Sequence, residues 1–167
     1  MKLLSAEEVT MLLLNKTLDQ IIQHLYHGTS MKKLSETEVL KEICKEIKAN
    51  ELVTGLQLTQ LSMTFGSRFP KAWEALKDGR IKKYLFKPSG RIVWIVVGRE
   101  RDYLVMPAAD FCSCADFYLR VMDKEIHLCY HLIAQKMAEA LTWYDIFEEE
   151  DELYDFLMEE WKRSHFK

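Results

Sequence analysis

The sequence predicts an α+β protein, and three features of its patterning carry that reading. Apolar residues recur at helical spacing through about the first eighty positions, β-branched and aromatic residues gather between Ile81 and Met106, and helical spacing returns from Leu132 onward. The expected architecture is a helical N-terminal part, a small antiparallel β-meander joined to a following helix, and a C-terminal acidic helix. The expected division is 1–79, 80–144 and 145–167. A chain of 167 residues that is 49% apolar and 29% charged can bury a core and is too apolar to remain disordered.

Each element has a local cause. Ser5 followed by Glu8, and Ser35 followed by Glu38, both fit capping boxes, in which the two side chains satisfy otherwise orphaned amides. The first helix is expected to run to Tyr26 and stop before Gly28, with Leu14, Leu18, Ile21, Ile22 and Leu25 on one stripe. The second carries Val39, Ile43 and Ile47 at four-residue steps, with Cys44 beside them as a small core hydrophobe. A third helical region, Leu58 to Lys77, is interrupted near Gly66 to Pro70, and its Trp73 and Leu76 are placed to pack on the next element. Strands are expected at 82–87, 92–97 and 103–106, the first two separated by the turn residues Pro88-Ser89-Gly90. After the third strand, Leu132 to Trp143 reads as a helix with Ile133, Met137, Ala140, Leu141 and Tyr144 on one side.

Charge is polarised along the chain. Seven basic residues against the single acid Glu100 lie between Arg80 and Arg101, whereas Asp145 to Glu160 holds nine acidic residues and no basic one. Lys82, Lys83, Lys87 and Arg91, interleaved with Tyr84, Phe86 and Trp94, could meet a nucleic-acid backbone while the rings stack on bases. The plainer reading, which we favour, turns the aromatics to the core and leaves the charges to solvent. The acidic segment offers Leu153, Leu157 and Trp161 near helical spacing as a contact for a partner, or else folds back on the basic ribbon of its own chain or of a second copy. The net charge of −3 argues weakly against a protein that coats nucleic acid by itself. No run approaches the eighteen or so apolar residues of a membrane helix. Glu7 and Glu8 interrupt the apolar N-terminus, so a secretory signal is not expected, and a cytoplasmic setting (nuclear in a eukaryotic source) suits the cysteines.

The most informative motif is Cys112-Ser-Cys114, a fourteen-residue spacer, and Cys129-Tyr-His131. Three thiolates and an imidazole are what a tetrahedral zinc ion takes, and four protein donors leave it no open position for catalysis. Residues two apart on an extended strand share a face, so Cys112 and Cys114 can grip one ion. In a regular helix the same separation puts side chains about 200° apart. Cys129 is therefore expected in the turn before a helix and His131 in its first turn. His127 is an alternative donor, more readily explained as a solvated histidine. Redox use of Cys112 and Cys114 is disfavoured because the Cys-x-x-Cys spacing is missing.

Cys-x-Cys, spacer, Cys-x-His resembles the signature of the SWIM zinc finger. Ala134, three residues after His131, further resembles the subfamily of Shu-complex recombination mediators, as does the plan of helical part, β ribbon ending in Cys-Ser-Cys, and helix after the histidine. The resemblance implies a zinc-bound β-β-α module over 80–144 and a non-enzymatic accessory factor in homologous recombination and DNA repair. Such factors bind a paralogue of RecA/RadA-family recombinases, an ATPase, and promote recombinase filament assembly on single-stranded DNA. Cys112, Cys114, Cys129 and His131 would then hold a structural Zn2+, with Ala134 beneath the helix they anchor. The chain itself has no Gly-x-x-x-x-Gly-Lys-Ser/Thr phosphate cradle. A zinc-dependent DNA-binding regulatory protein is the second reading, and a zinc enzyme a distant third.

Overall fold

A computed structural model describes residues 34–99 and 101–162; the helix expected before Gly28 and its Ser5 cap lie outside them. Helix α1 spans Glu36–Asn50 and opens on the expected box, with the Ser35 amide donating to Glu38 Oε2 at 2.7 Å and the Glu38 amide to Ser35 Oγ at 3.3 Å. Its Leu40, Ile43 and Ile47 are buried, while Cys44 is partly buried with its thiol pushed up to about 12 by burial, as suits a packing residue. The next helical region divides at Gly66 into α2, Gly55–Phe65, and α3, Arg68–Lys77. Gly66 adopts φ 55°, ψ −133°, a conformation that excludes most side chains and lets the chain turn between the two. A second capping box, Thr54 with Gln57, starts α2. Leu76 is buried, and Trp73 lies between Phe69 and Trp143 with ring centroids 6.0 and 5.9 Å away.

The sheet is larger than the meander read from the sequence. Strands β1 (Ile81–Lys87), β2 (Ile92–Val97) and β3 (Asp102–Met106) form that antiparallel meander. Two more flank it, giving the order β4-β3-β2-β1-β5. β4 is only Phe111–Cys112, antiparallel to β3. β5 is Asp145–Glu150, parallel to β1. The acidic segment is therefore a strand first and a helix only from Tyr154, where α5 (Tyr154–Lys162) begins. Glutamate favours helices over strands. Here the parallel ladder with β1 and the stacking of Phe147 on Tyr84 hold the segment extended, with Lys82 and Lys87 of β1 meeting Asp145 and Glu148 across it.

Helix α4, Tyr130–Leu141, connects the β4 side of the sheet to β5 and packs across β1 to β4 on one face. It also packs against α1 and α3, and the main core lies among these helices and the sheet residues Ile81, Trp94, Val96, Val105 and Cys112. The alternate residues Phe86, Val93, Ile95 and Leu104 face the other way, where Met158 and Trp161 of α5 cover them. Among the described residues, no helix is long and apolar enough to cross a membrane.

Candidate metal centre

The hairpin of β3 and β4 delivers the first donor pair. Pro107–Ala109 forms a single tight turn ending at Asp110, whose φ of 48° reverses the chain into Phe111. Cys112 pairs with Val105 and shares its face, toward α4. At Ser113 the ladder changes character. The Ser113 amide still donates to the Leu104 carbonyl at 2.9 Å, but the Leu104 amide donates to Ser113 Oγ at 3.0 Å. The Ser113 carbonyl instead accepts from Arg101 at 3.5 Å. The hydroxyl thus substitutes for a backbone acceptor and frees the chain to bend immediately before Cys114. The Phe117 amide then donates to Cys114 Sγ at 3.3 Å.

The second pair comes from the start of α4. Cys129 occupies the N-cap position, with extended backbone at φ −75°, ψ 163°, and its side chain makes no capping hydrogen bond. His131 is the second residue of the helix, so the two side chains converge as the spacing requires. The His131 ring lies between Tyr103 and Tyr130, at centroid distances of 4.1 and 3.8 Å. Ala134, one turn further, is fully buried where α4 packs on α1 and α3, and a larger side chain there would push the helices apart.

All four donors are buried, and their ligating atoms lie within 4.8 Å of one another. A tetrahedral ion with sulfur ligands at about 2.3 Å has donors about 3.8 Å apart, so one ion can reach all four after a small contraction. Two further observations fit a metal. Neither nitrogen of the His131 ring has a hydrogen-bond partner, although the residue is only 2% exposed. A buried imidazole left this way is costly, and a metal on the lone pair of its unprotonated nitrogen would satisfy that atom. The thiols also oppose one another. Hydrogen bonds with Cys114 and Cys129, with burial, hold the Cys112 pKa far up. Those from Cys112 and Cys129 hold the Cys114 pKa far down. Three thiolates this close would repel one another, and a cation among them would offset that repulsion.

His127 is exposed and stands outside the cluster. The loop that contains it has a support the sequence did not reveal. The Arg68 guanidinium meets both carboxylate oxygens of Glu36, and its Nη1 donates to the Leu128 carbonyl at 2.6 Å. The His127 amide donates to Glu36 Oε2 at 3.3 Å. Burial raises the Glu36 pKa, but the Arg68 hydrogen bond and charge, helped by the His127 amide, outweigh it and hold the carboxyl below its ordinary value. On the hairpin side, Lys136 of α4 meets Asp110 at 2.8 Å. Only three-dimensional proximity joins these pairs, since Arg68 and Leu128 are sixty residues apart.

The other residues singled out lie at the opposite end of the sheet. Lys82 pairs with Asp145, Lys87 with Glu148 at 2.6 Å, and Arg91 with Asp151 at 3.3 Å. Lys83 stands over the rings of Trp94 and Tyr144, and Arg91 also covers Tyr154 at 3.8 Å. The basic ribbon is thus met by the acidic segment of the same chain. Trp94 and Phe86 are buried, whereas Tyr84 is half-buried between Phe147 and Trp161. Of the expected partner contacts, Trp161 is buried, Leu157 packs beside it, and Leu153 is 44% exposed.

No family model matches the chain. It is similar to a protein of Dictyostelium discoideum named zinc finger SWIM domain-containing protein 7 homolog, with 29% identity over 119 residues, covering 70% of this chain and 76% of that protein. It is also similar to an uncharacterized protein of Archaeoglobus fulgidus, with 35% identity over 85 residues, covering 51% of this chain and 66% of that protein. The chain thus gathers a Cys-x-Cys and Cys-x-His donor set in one buried cluster able to hold a metal, and it is similar to a protein named for its SWIM zinc finger.

Proposed function

We propose that this chain is a non-enzymatic, zinc-binding accessory factor in homologous recombination. In this reading it binds a RecA/RadA-family recombinase paralogue and promotes recombinase filament assembly on single-stranded DNA. The observation that carries it is the buried Cys112, Cys114, Cys129, His131 cluster, whose soft donors suit zinc and whose number fills a tetrahedral ion. A filled, enclosed coordination shell suits a structural ion, which argues for action through binding. The reading also draws on the resemblance of the motif with Ala134 to Shu-type mediators, and on the similarity to the Dictyostelium SWIM protein. The reducing cytoplasm, or the nucleus in a eukaryotic source, would keep the thiols available. A partner could meet the start of α5, where Phe156 and the preceding Leu153 are exposed.

The DNA-binding regulator reading has less support, because Lys82, Lys87 and Arg91 already face Asp145, Glu148 and Asp151. Co-expression with candidate recombinase paralogues, followed by sizing and metal analysis, tests the proposal. The expected result is a co-purifying complex with one zinc per chain that dissociates when Cys112→Ser or His131→Ala is introduced. Tight, steeply salt-dependent binding to single-stranded oligonucleotide with no affinity for any such ATPase would transfer support to the regulator.

A further inference from the structure

The second donor pair is the more exposed to loss. Cys112 sits within a strand pairing, whereas Cys129 follows a loop with no ladder to hold it, so the placement of residues 126–128 sets where the helix begins. That backbone is gripped by two side chains from elsewhere in the chain. Arg68, at the first position of α3, donates to the Leu128 carbonyl at 2.6 Å, one residue before Cys129. Glu36, at the first position of α1, accepts from the His127 amide at 3.3 Å. The two are joined to each other, with side-chain exposures of 12% for Arg68 and 22% for Glu36. The Phe65 ring lies beneath the guanidinium, 5.4 Å from its centre, so the planar group cannot swing freely.

We propose that Arg68 and Glu36 are positioning residues of the metal centre, holding the 127–128 backbone so that Cys129 and His131 stay on the ion and setting how long the ion is retained. The inference rests on the metal reading of the cluster. For an ion to leave, the donors must detach in sequence, and the pair on the less supported segment goes first. Each escape of Cys129 requires the preceding backbone to move, and the clamp opposes that movement with charge-assisted hydrogen bonds in a largely dry place. Supports beyond the ligands commonly change metal affinity by about ten- to a hundredfold when removed. Arginine suits this position because one guanidinium reaches two carboxylate oxygens and a carbonyl together, which an ammonium cannot do.

The test is the rate at which the zinc-loaded full-length chain yields its ion to an excess of a coloured chelator. Arg68→Ala is expected to release zinc at least about tenfold faster than the native chain, with Arg68→Lys and Glu36→Gln in between. The cobalt-loaded variants should keep the visible absorption of a four-coordinate site, and amide exchange at 127–129 should accelerate along with release. Ile47→Val, a buried change in α1 away from the loop, controls for lowered stability as such. Release from the Arg68 and Glu36 variants at the native rate, or at the rate of Ile47→Val, overturns the inference while leaving the metal reading intact. If Arg68→Ala does not fold, Glu36→Gln decides the matter by the same comparison. A folded native chain that holds no stoichiometric zinc overturns both readings.

Discussion

The two ends of the sheet are held together by different physics. At the β4 end, buried thiols and an imidazole converge, the flanking loop is fixed by a shielded ion pair, and little of the machinery touches water. At the β5 end, the strand is almost wholly exposed and its ion pairs are wet, with Lys87 and Glu148 each more than half exposed. What anchors β5 and α5 is the small aromatic cluster beneath, in which Phe86 meets Tyr154 at 5.0 Å and Tyr84 meets Trp161 at 4.7 Å. Exposed charge pairs are worth at most about 1 kcal/mol each, because water screens them and ordering two long side chains costs entropy. The charges therefore choose which strand docks on β1, while the rings hold it there. At the metal end, selection and holding belong to the same four side chains.

This contrast can be broken at either end. The largest effect should follow removal of the ion, since structural zinc contributes apparent binding energies of about 10–16 kcal/mol in small modules. Cys112→Ser, or a strong chelator, is predicted to unfold the β3–β4 hairpin and the start of α4. Loss of near-ultraviolet circular dichroism and rapid amide exchange there would verify it, and an unchanged spectrum after complete metal removal would contradict it. Trp161→Ala should cost about 3–5 kcal/mol by opening a cavity in the second cluster. Its signature would be accelerated exchange along 145–162 with zinc content undiminished; parallel loss of zinc would mean that the two ends are one cooperative unit. Lys87→Ala should change stability by no more than about 1 kcal/mol, and less in high salt. A larger loss in thermal melts at both low and high salt would show that the edge charges carry more of the docking than their exposure implies.

What could be read from the chain alone follows the same division. Cys112, Cys114, Cys129 and His131 announce themselves because metal chemistry demands particular side chains at particular intervals. β1, β2 and β3 were legible because their β-branched and aromatic residues are numerous enough to show strand character. β4, at two residues, is too short to display any period. β5 was misread as helical because the cause of its extended state is not in it. Asp-Ile-Phe-Glu-Glu-Glu becomes a strand through its pairing with β1, some sixty residues earlier. Arg68 and Glu36 carry no sequence signal for the same reason, since their joint target lies far along the chain. Local chemistry was visible, whereas contacts created by folding were not.

Ser113 gives the motif a constraint that its usual notation conceals. Between the two cysteines the formula prints an unspecified letter, yet here that residue stitches the hairpin shut with its hydroxyl and turns its carbonyl outward to Arg101. Alanine in that place would strand the Leu104 amide, and valine would add bulk where the chain must bend. In this chain, then, the neighbouring strand constrains the residue between the two cysteines.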